Sequence, residues 1–491
     1  MDGETQEAGI PSRAGGGWLP RSVGGKGMKI KSRHRLVAQG DKTSREAVVA
    51  ILEETLQGLD SYRTITNLLR LEGSILCIGD RRWDLQKKRR VWVVGAGKAA
   101  NAMARAVETV LGQWISGGLV IVKTLEDGDH LHRIELAVGG HPLPNNEGFV
   151  ATKRILELVD AAGPEDLFVG LISGGSSALM NHPVQRVTLE DETEVTRLLL
   201  ERGARILELN AVRRHISETN GGRLAEKIEK KGAEMINIVI SDSVGDRPTV
   251  DPTRRAVFFG TPVAPDRTSL EDARQVLHRY DLATKAPRSV VEYLNVDEPG
   301  RETPKVLGSS IHHFIVAGVA DSAERAKEAA SRRGIAPLVL TTFLEGESRE
   351  AGTFLSSVAR EVLFNRRPVR PPCLLIASGE TTTKIEGAAG RGGPSQELAL
   401  SLALEISGLV GVCGLALDTD GTDGPTDIAG GVVDALTVSR ARASGLDGHE
   451  YLKNHDSLSF LEALGDTILT GNTGTNVCDL NLVYIRPTAV T

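Results

Sequence analysis

A repeated pattern runs through most of this 491-residue chain and limits its fold more than any other feature. A short apolar run typical of a β-strand ends in a loop rich in small or acidic residues, and an amphipathic helical stretch follows. Continuous apolar strands that alternate with helices are typical of parallel sheets covered on both faces, so the pattern predicts an α/β fold. The strand-to-loop junctions lie at 95–98, 173–177, 241–246, 318, 344–347, 378–380 and 418–424.

A change in composition near 281–305, where prolines and glycines gather, divides this pattern into two units. It predicts a disordered tail at 1–40, an N-terminal α/β domain with a Rossmann-like parallel sheet at 41–285, a linker at 286–305 and a mixed α/β domain at 306–491. Since ligands bind outside the carboxyl ends of parallel strands and between domains, we expect the active site in the cleft. The lack of pattern upstream supports the hypothesis that Met28 is the true start.

Charge and cysteine content narrow the class of function. The 58 basic and 64 acidic residues give a net charge of −6, which offers no basic surplus for nucleic acid or an anionic membrane. No apolar run is long enough for a membrane span. The four cysteines have neither CxxC nor zinc spacing, so we expect reduced thiols and a cytoplasmic protein that acts on small molecules. The oligomeric state stays open, with a homodimer among the expected assemblies.

The first glycine loop follows a strand and precedes a helix. Its run from Gly95 through Gly97 to Ala100 satisfies the loose dinucleotide pattern G-x-G-x-x-A. The next strand ends in Lys123, where a ribose-binding acid would be expected, so the dinucleotide fingerprint is incomplete. Lys98 at a helix N-terminus instead favours an anion site; the alternative is a surface lysine after a tight turn.

The second glycine loop, Ser173-Gly174-Gly175-Ser176-Ser177, is the strongest candidate for a phosphate cradle. Its glycines allow backbone N–H groups to point at one anion, and its hydroxyls can donate as well. It is not a Walker A loop, because that spacing occurs nowhere in the chain. Two alternatives remain: a nucleophile at Ser176 or Ser177, neither of which sits in G-x-S-x-G, and a plain tight turn.

Carboxylates gather at two other strand ends, with Asp242 and Asp246 after one strand and Asp418, Asp420 and Asp423 after another. The second group lacks the glutamate that an EF-hand carries at its twelfth position. Several carboxylates on one loop repel one another unless a cation joins them, which favours Mg²⁺ bound partly through a nucleotide. The alternative is an exposed acidic turn.

Further polar residues complete the set of candidates. Arginine clamps a carboxylate or a phosphate with two parallel hydrogen bonds, which suits a phosphoryl-transfer site. His141, in a Gly-Gly-His-Pro run, is either a base or a hydrogen-bonding turn residue. The other candidates are Asn210, Arg213, Arg214, Arg223, Glu380 and Arg391.

Taken together, these residues resemble the glycerate 2-kinases of the MOFRL type, a family often mislabelled as hydroxypyruvate reductases. The resemblance covers about 45–490. Its motifs, in order, are GAGKAANAMA at 95–104, GGHPLPNNEG at 139–148, SGGSSALM at 173–180, NAVRRHIS at 210–217, GGRLAEK at 221–227, SDSVGD at 241–246, LEGESRE at 344–350, SGETTT at 378–383, GRGGPSQELAL at 390–400, DTDGTDGPTDIAGGVVD at 418–434 and TGNTGTNVCDL at 470–480.

The resemblance implies two α/β domains and transfer of the γ-phosphoryl of ATP, with Mg²⁺, to the 2-hydroxyl of D-glycerate. The residues and the resemblance together give the candidates four expected roles. These are catalysis by Lys98, Asp242, Asp246 and Arg214; nucleotide or phosphate binding by Gly95, Gly97, Ser173, Gly174, Gly175, Ser176, Ser177, Glu380 and Arg391; substrate binding by His141, Asn210 and Arg223; and metal binding by Asp418, Asp420 and Asp423.

The chain also departs from the family pattern. Ser176 stands where a third glycine is usual, SDSVGDRP replaces a common D-V-P-G-D-D-P run, and Pro394 occupies a place often held by arginine. These departures put acceptor preference or activity in question. A non-catalytic relative that binds nucleotide or glycerate is therefore one alternative function. The G-x-G-x-x-A junction supports the other, an NAD(P)-dependent hydroxypyruvate reductase.

Overall fold

The computed structural model describes residues 30–125, 129–245, 262–298, 300–385, 387 and 389–487. Helices and strands alternate through most of this length, as the pattern predicts. The helices are α1 Arg33–Ala38, α2 Lys42–Gly58, α3 Ser61–Leu68, α4 Ala100–Leu111, α5 Asn146–Asp160, α6 Ser176–Leu179, α7 Leu189–Glu201, α8 Ile206–His215, α9 Arg223–Lys230, α10 Leu270–Arg279, α11 Arg288–Leu294, α12 Val319–Ser331, α13 Ser348–Asn365, α14 Pro394–Glu405, α15 Thr437–Ala443, α16 Gly448–Lys453 and α17 Ser457–Leu464. The strands are β1 Leu69–Glu72, β2 Ile75–Ile78, β3 Arg81–Asp84, β4 Arg90–Ala96, β5 Gly117–Val122, β6 Glu135–Val138, β7 Asp166–Ile172, β8 Glu234–Ile240, β9 Ile311–Ala317, β10 Ala336–Glu347, β11 Cys373–Thr382, β12 Val412–Asp418, β13 Gly430–Asp434, β14 Thr467–Ile468 and β15 Asp479–Ile485.

The first large sheet has six parallel strands in the order β6-β5-β4-β7-β8-β9. Apolar clusters cover both of its faces, one beneath α4 and the other beneath α5 and α9. The direction of winding reverses between β4 and β7, so the loops after these two strands open at the topological switch point. The prediction of a Rossmann-like parallel sheet is confirmed.

The second large sheet has the order β10-β11-β15-β12-β13-β14. Only β10 and β11 are parallel among its neighbouring pairs, and the other pairs are antiparallel. One face packs against α2 and α12 and the other against α13, α14 and α17. A mixed α/β unit is therefore confirmed for this part of the chain.

Two smaller elements were not predicted. The strands β1, β2 and β3 form an antiparallel sheet whose Trp83 contacts His312 and Phe314 edge-on. Helices α7, α8, α10 and α11 form a separate helical unit around their own apolar core. Periodicity indicates whether a segment is helix or strand but not which other elements it packs against, which is why the sequence pattern did not separate these units.

The division between the two sheets lies later in the chain than expected. Strand β9, assigned by sequence to the C-terminal domain at 306–491, pairs with β8 of the first sheet from Met235–Ile311 onward. The expected linker at 286–305 contains α11, whose Val290 and Leu294 are buried in the helical unit. Burial of apolar side chains thus attaches residues 286–298 to the helical unit. Helix α12, which follows β9, packs against the second sheet.

The N-terminal boundary also differs from the prediction. Helix α2, expected in the N-terminal domain at 41–285, buries Val48 and Leu52 against the second sheet. Residues 30–40, expected in the disordered tail at 1–40, form α1 and its flanks, where Ser32 Oγ donates to the carbonyl of Thr467 at 2.8 Å. The remainder of the predicted tail, including Met28, lies outside the described residues.

Two of the predicted loops are strand. Residues 344–347 and 378–380 continue β10 and β11, because the parallel ladder extends from Leu344 opposite Gly379 to Glu347 opposite Thr382. Local composition favoured a loop here, and cross-strand pairing overrides it. Within the described segments, no helix combines the length and apolar character that crossing a bilayer requires.

A buried ion-pair cluster fastens α2 to the second sheet. Arg45, which is fully buried, pairs with Asp434 and lies 2.7 Å from Asp466 through Nη1. The same Nη1 donates to the carbonyl of Leu36 at 3.2 Å, so the cluster also holds α1. Buried charges of this kind are tolerated only while each has its partner.

Substitution Arg45→Met tests this fastening. It leaves two buried carboxylates without their shared cation, so we expect a loss of about 3–5 kcal/mol in the free energy of unfolding. Calorimetry and urea denaturation measure it. The matched control is Arg33→Met, which removes exposed pairs with Glu46 and Glu53 and should cost at most about 1 kcal/mol. Equal losses in the two variants would contradict the assigned role.

Candidate functional site

The loops that follow β4, β7, β8 and β12 supply the candidate residues. Lys98 comes directly after β4, the 173–177 loop after β7, Asp242 after β8 and Asp420 after β12. The first three strands belong to the first sheet and β12 to the second. Contacts among these loops therefore join the two sheets at their functional edges.

Lys98 lies at the centre of this arrangement. Its Nζ is 2.7 Å from Asp420 Oδ2, and its side chain is 18% exposed. Burial disfavours the charged amine, but the carboxylates of Asp420 and Asp418 outweigh that cost and hold the pKa of Lys98 above its ordinary value. Lys98 is thus a permanent cation between acids of the second sheet.

The second glycine loop presents free backbone donors next to this cation. In the described part of the chain, the amides of Gly174, Gly175 and Ser177 donate to no protein acceptor, while Ser176 N–H donates to Ser173 O at 3.2 Å. Gly175 adopts a φ of +83°, a left-handed backbone conformation that residues with a side chain rarely adopt. Three uncommitted N–H groups on one tight turn form a cradle that suits an anion.

The first glycine loop, predicted to bind phosphate, differs from the second in its hydrogen bonds. Its amides are already used: Gly97 donates to Ile121 O at 3.1 Å, Lys98 to Gly174 O at 2.9 Å and Ala99 to Ser173 Oγ at 3.0 Å. A Cβ at Gly95 would overlap the carbonyl of Leu171. Gly95 and Gly97 therefore bring β4 and β7 together, and Ser173 holds the first turn of α4.

Asp242 stands against the cradle. Its carboxylate lies so close to Gly174 that any Cβ there would overlap it. Asn476 Nδ2 donates to Asp242 Oδ2 at 3.2 Å, and Cys478 Sγ donates to the Asp242 carbonyl at 2.7 Å. Burial raises the pKa of this carboxyl, although the charge of Lys98 opposes the shift. Asn476 lies in the TGNTGTNVCDL motif, which was the signal available for it.

The three predicted metal acids differ in their surroundings. Burial and the charge of Asp420 raise the pKa of Asp418 well above its usual range. Asp423 instead accepts from Ser395 N–H at 3.1 Å and Gln396 N–H at 2.8 Å, so it caps α14 with both oxygens. Among the residues described, no three His, Cys, Asp or Glu side chains form a preformed metal cluster.

His141 lies against Gly175 of the cradle, whereas Asp242 lies against Gly174. A Cβ on Gly175 would meet the His141 ring, and Lys98 lies beside it. Burial, reinforced by the charges of Lys98, Lys123 and Arg213, lowers the pKa of His141 to about 3. The imidazole is therefore neutral, and cations surround it on several sides. Lys123, whose Nζ donates to Thr422 Oγ1 at 3.3 Å, is a site residue that the candidate list did not include.

Glu380 and Arg391 were both predicted to bind the nucleotide. Glu380 is exposed at the end of β11, and the surrounding protein together with the charge of Asp242 raises its pKa. Arg391 lies on the surface instead, where its guanidinium pairs with Glu462 at 3.0 Å. Glu380 thus faces the site, whereas Arg391 is committed to a surface contact.

Three further candidates lie on two helices, Asn210 and Arg214 on α8 and Arg223 at the start of α9. Arg214 pairs with Asp266 at 2.9 Å, and Arg223 donates to the carbonyls of Gly300 and Arg301 at 3.1 and 2.7 Å. These contacts bind Asp266, Gly300 and Arg301, so both guanidinium groups are engaged within the protein. Asn210 is half-buried on α8.

The remaining positions are the candidate Asp246 and the family departure Pro394. Asp246 lies outside the described residues. Pro394 is the first residue of α14, a position where proline is well tolerated because its missing N–H has no helical partner.

Comparison with known proteins identifies the family. Residues 47–295 match the family model described as a domain of unknown function (DUF4147), and residues 373–479 match the MOFRL family. A glycerate 2-kinase of Pyrococcus horikoshii is 39% identical over 443 residues, which cover 90% of this chain and 97% of the relative. This chain belongs to the MOFRL glycerate kinase family.

Other members of the family agree in fold and differ in name. The crystal structure of a glycerate kinase from Thermotoga maritima superposes with a TM-score of 0.74 at 36% identity, covering 91% of this chain and all of that one. A relative from Agrobacterium vitis, 37% identical over 81% of this chain and 87% of its own length, carries the name of a hydroxypyruvate reductase. The resemblance stated from the motifs is confirmed.

The protonation state of His141 is directly measurable. With a pKa of about 3, its ring stays neutral from pH 5 to 8, so its ¹³Cε1–¹H NMR peak should not shift over that range. The peak is assigned by its loss in His141→Gln. Because only the unfolded chain binds this proton just below pH 6.5, His141 also subtracts stability as the pH falls below 6.5. A midpoint near 6.5 would contradict this environment.

Proposed function

We propose that this chain is a glycerate 2-kinase, which transfers the γ-phosphoryl group of ATP to the 2-hydroxyl of D-glycerate and releases 2-phosphoglycerate and ADP. The observation that carries the proposal is the set of free amides at Gly174, Gly175 and Ser177 beside the cation Lys98. Such a site binds a phosphoryl group through backbone donors and one charge. Membership of the MOFRL glycerate kinase family supports the choice of acceptor.

Phosphoryl transfer from ATP to a hydroxyl does not require the protein to form a covalent bond with the substrate. Catalysis comes from aligning donor and acceptor and from neutralising charge on the phosphoryl oxygens. In the proposed reaction, the cradle amides hold the phosphate oxygens, and Lys98 moves its charge from Asp420 toward them. The ion pair with Asp420 keeps Lys98 protonated and oriented until substrate arrives.

Asp242 is the proposed partner of the acceptor hydroxyl. It is the carboxylate nearest the cradle, and Asn476 orients it through Oδ2. From this position it accepts the hydroxyl proton as the oxygen attacks phosphorus. Burial raises its pKa, which makes it a better base than an exposed aspartate once it is ionised.

The residues fit a magnesium ion that is held largely by the nucleotide. Mg²⁺ keeps several waters and takes one or two carboxylates plus phosphate oxygens. Burial, together with repulsion by Asp420, raises the pKa of Asp418, and a divalent cation would relieve that repulsion. Bound there, Mg²⁺ would neutralise charge on the phosphates. We exclude Asp423 from the metal set because α14 uses both of its oxygens.

The reductase alternative has less support in the site. A dinucleotide would need the amides of the first glycine loop, and the amides of residues 97–99 already donate within the protein. Lys123 also stands where a ribose-binding acid is expected.

A relative that binds nucleotide or glycerate without catalysis stays a possible result of the product and binding experiments. The four buried cysteines, all unpaired, suit the proposed cytoplasmic location, and a homodimer stays the proposed assembly.

The product identifies the function. Purified protein incubated with Mg-ATP and D-glycerate should give the ³¹P NMR signal of 2-phosphoglycerate, and EDTA should abolish it until Mg²⁺ is restored. Formation of 3-phosphoglycerate would change the assigned hydroxyl. Oxidation of NADH by hydroxypyruvate, with no phosphorylated product, would overturn the proposal in favour of the reductase. Calorimetric binding of ATP or glycerate without product would indicate the non-catalytic relative.

Removal of the central cation tests the mechanism. In Lys98→Ala we expect kcat for ADP release to fall by about 100- to 1,000-fold, because the charge on the transferring group loses its main protein partner. The control Lys87→Ala alters a lysine whose side chain is 82% exposed, and it should leave kcat unchanged. Undiminished turnover in Lys98→Ala would remove Lys98 from the proposed mechanism.

A further inference from the structure

Arg213 is a buried cation that forms no ion pair with any of the described residues. It lies on α8 and is 5% exposed, yet within that part of the chain its Nε and Nη2 atoms donate to no acceptor. A guanidinium stays protonated at any physiological pH, so the charge cannot be lost by titration. Unpaired charge in a protein interior is costly and persists where a ligand supplies the counter-charge.

The neighbours of Arg213 leave it free for such a ligand. Its neighbour Arg214 is committed to Asp266 at 2.9 Å. Glu192 on α7 is the nearby acid, but it stays beyond ion-pair distance of Arg213, and its Oε2 accepts from Asn181 Nδ2 at 2.7 Å. The carboxylate of Glu192 therefore offsets part of the Arg213 charge, but it does not accept a hydrogen bond from Nε or Nη2.

Arg213 belongs to the surroundings of the phosphate cradle. Its charge reaches His141, which touches Gly175 of the cradle. The turn after α8 is bonded to the same loop, since Asn220 Nδ2 donates to Ser177 O at 3.1 Å. Asn181, the partner of Glu192, follows directly after the cradle helix α6. These contacts place the α8 end and the cradle in one packed unit.

The two unpartnered atoms select the kind of anion. Nε and Nη2 lie along one edge of the guanidinium, and that edge matches the two oxygens of a carboxylate through parallel hydrogen bonds. The cradle amides and Lys98 already provide for the phosphoryl group. The carboxylate of a 2-hydroxy-acid acceptor is attached to the carbon that bears its 2-hydroxyl, so it must bind within a few ångströms of the reacting oxygen.

We propose that Arg213 binds the carboxylate of the acceptor and so selects 2-hydroxy acids over neutral alcohols. This inference rests on the proposed kinase function for its acceptor. Acceptors without a carboxylate leave Arg213 buried and unpaired, and the enzyme rejects them for that reason.

Acceptor discrimination tests the assignment. In Arg213→Met, the ratio of kcat/KM for D-glycerate to kcat/KM for its neutral amide should fall by about 100-fold, while KM for ATP stays within about threefold of wild type. Arg213→Lys should lose most of the same discrimination, because an ammonium cannot bind both oxygens in parallel. The control Arg197→Met changes an exposed arginine on α7 and should leave the ratio unaltered.

Equilibrium binding separates this inference from the kinase proposal. Calorimetry should show D-glycerate binding to wild type and at least about 30-fold weaker binding to both Arg213 variants, with or without turnover. Binding of this kind without ADP formation would support Arg213 and overturn the kinase. An unchanged acceptor ratio in a folded variant would overturn the role of Arg213, as would a raised KM for ATP with unaltered glycerate binding. Arg213→Lys keeps the charge and so serves if Arg213→Met does not fold.

Discussion

The ion pair between Lys98 and Asp420 is the interaction on which the site depends. It joins the loop after β4 of the first sheet to the loop after β12 of the second, so it fixes the two halves at the edges where ligands bind. It also sets the charges around it. Asp420 and Asp418 keep Lys98 protonated, and Lys98 in turn helps to hold His141 neutral. The Lys98–Asp420 ion pair therefore both positions the loops of the site and maintains the positive charge that phosphoryl transfer requires.

The two glycine loops show how similar motifs divide one task. The amides of the first loop are spent on Ile121, Gly174 and Ser173, which locks β4 and β7 together at the switch point. That rigid base leaves the second loop free to keep three donors uncommitted. The amides of residues 97–99 are poor donors for a phosphate, because each would have to give up its hydrogen bond within the protein.

Much of the fold was predictable because strand and helix periodicities are local. The apolar runs at β4, β7, β8 and β12 are where the pattern put them, and the motifs correctly indicated the family. Domain limits were not predictable in the same way. Strand β9 joins the first sheet and α2 packs on the second, since pairing and burial with distant segments decide both. Likewise, composition alone could not show that Asp423 caps α14 or that Arg223 binds carbonyls.

The sequence by itself determined the α/β class, the residue types at the strand ends and the family, because each is encoded in short contiguous motifs. Only the tertiary structure decided which of those residues act together. It united Lys98 with Asp420 across 322 positions of chain. Among the described residues it also showed which amides donate to no protein acceptor, and that Nε and Nη2 of the buried Arg213 have no hydrogen-bond partner. Hydrogen-bond commitment and burial are properties of the folded neighbourhood, and no local pattern of residues records them.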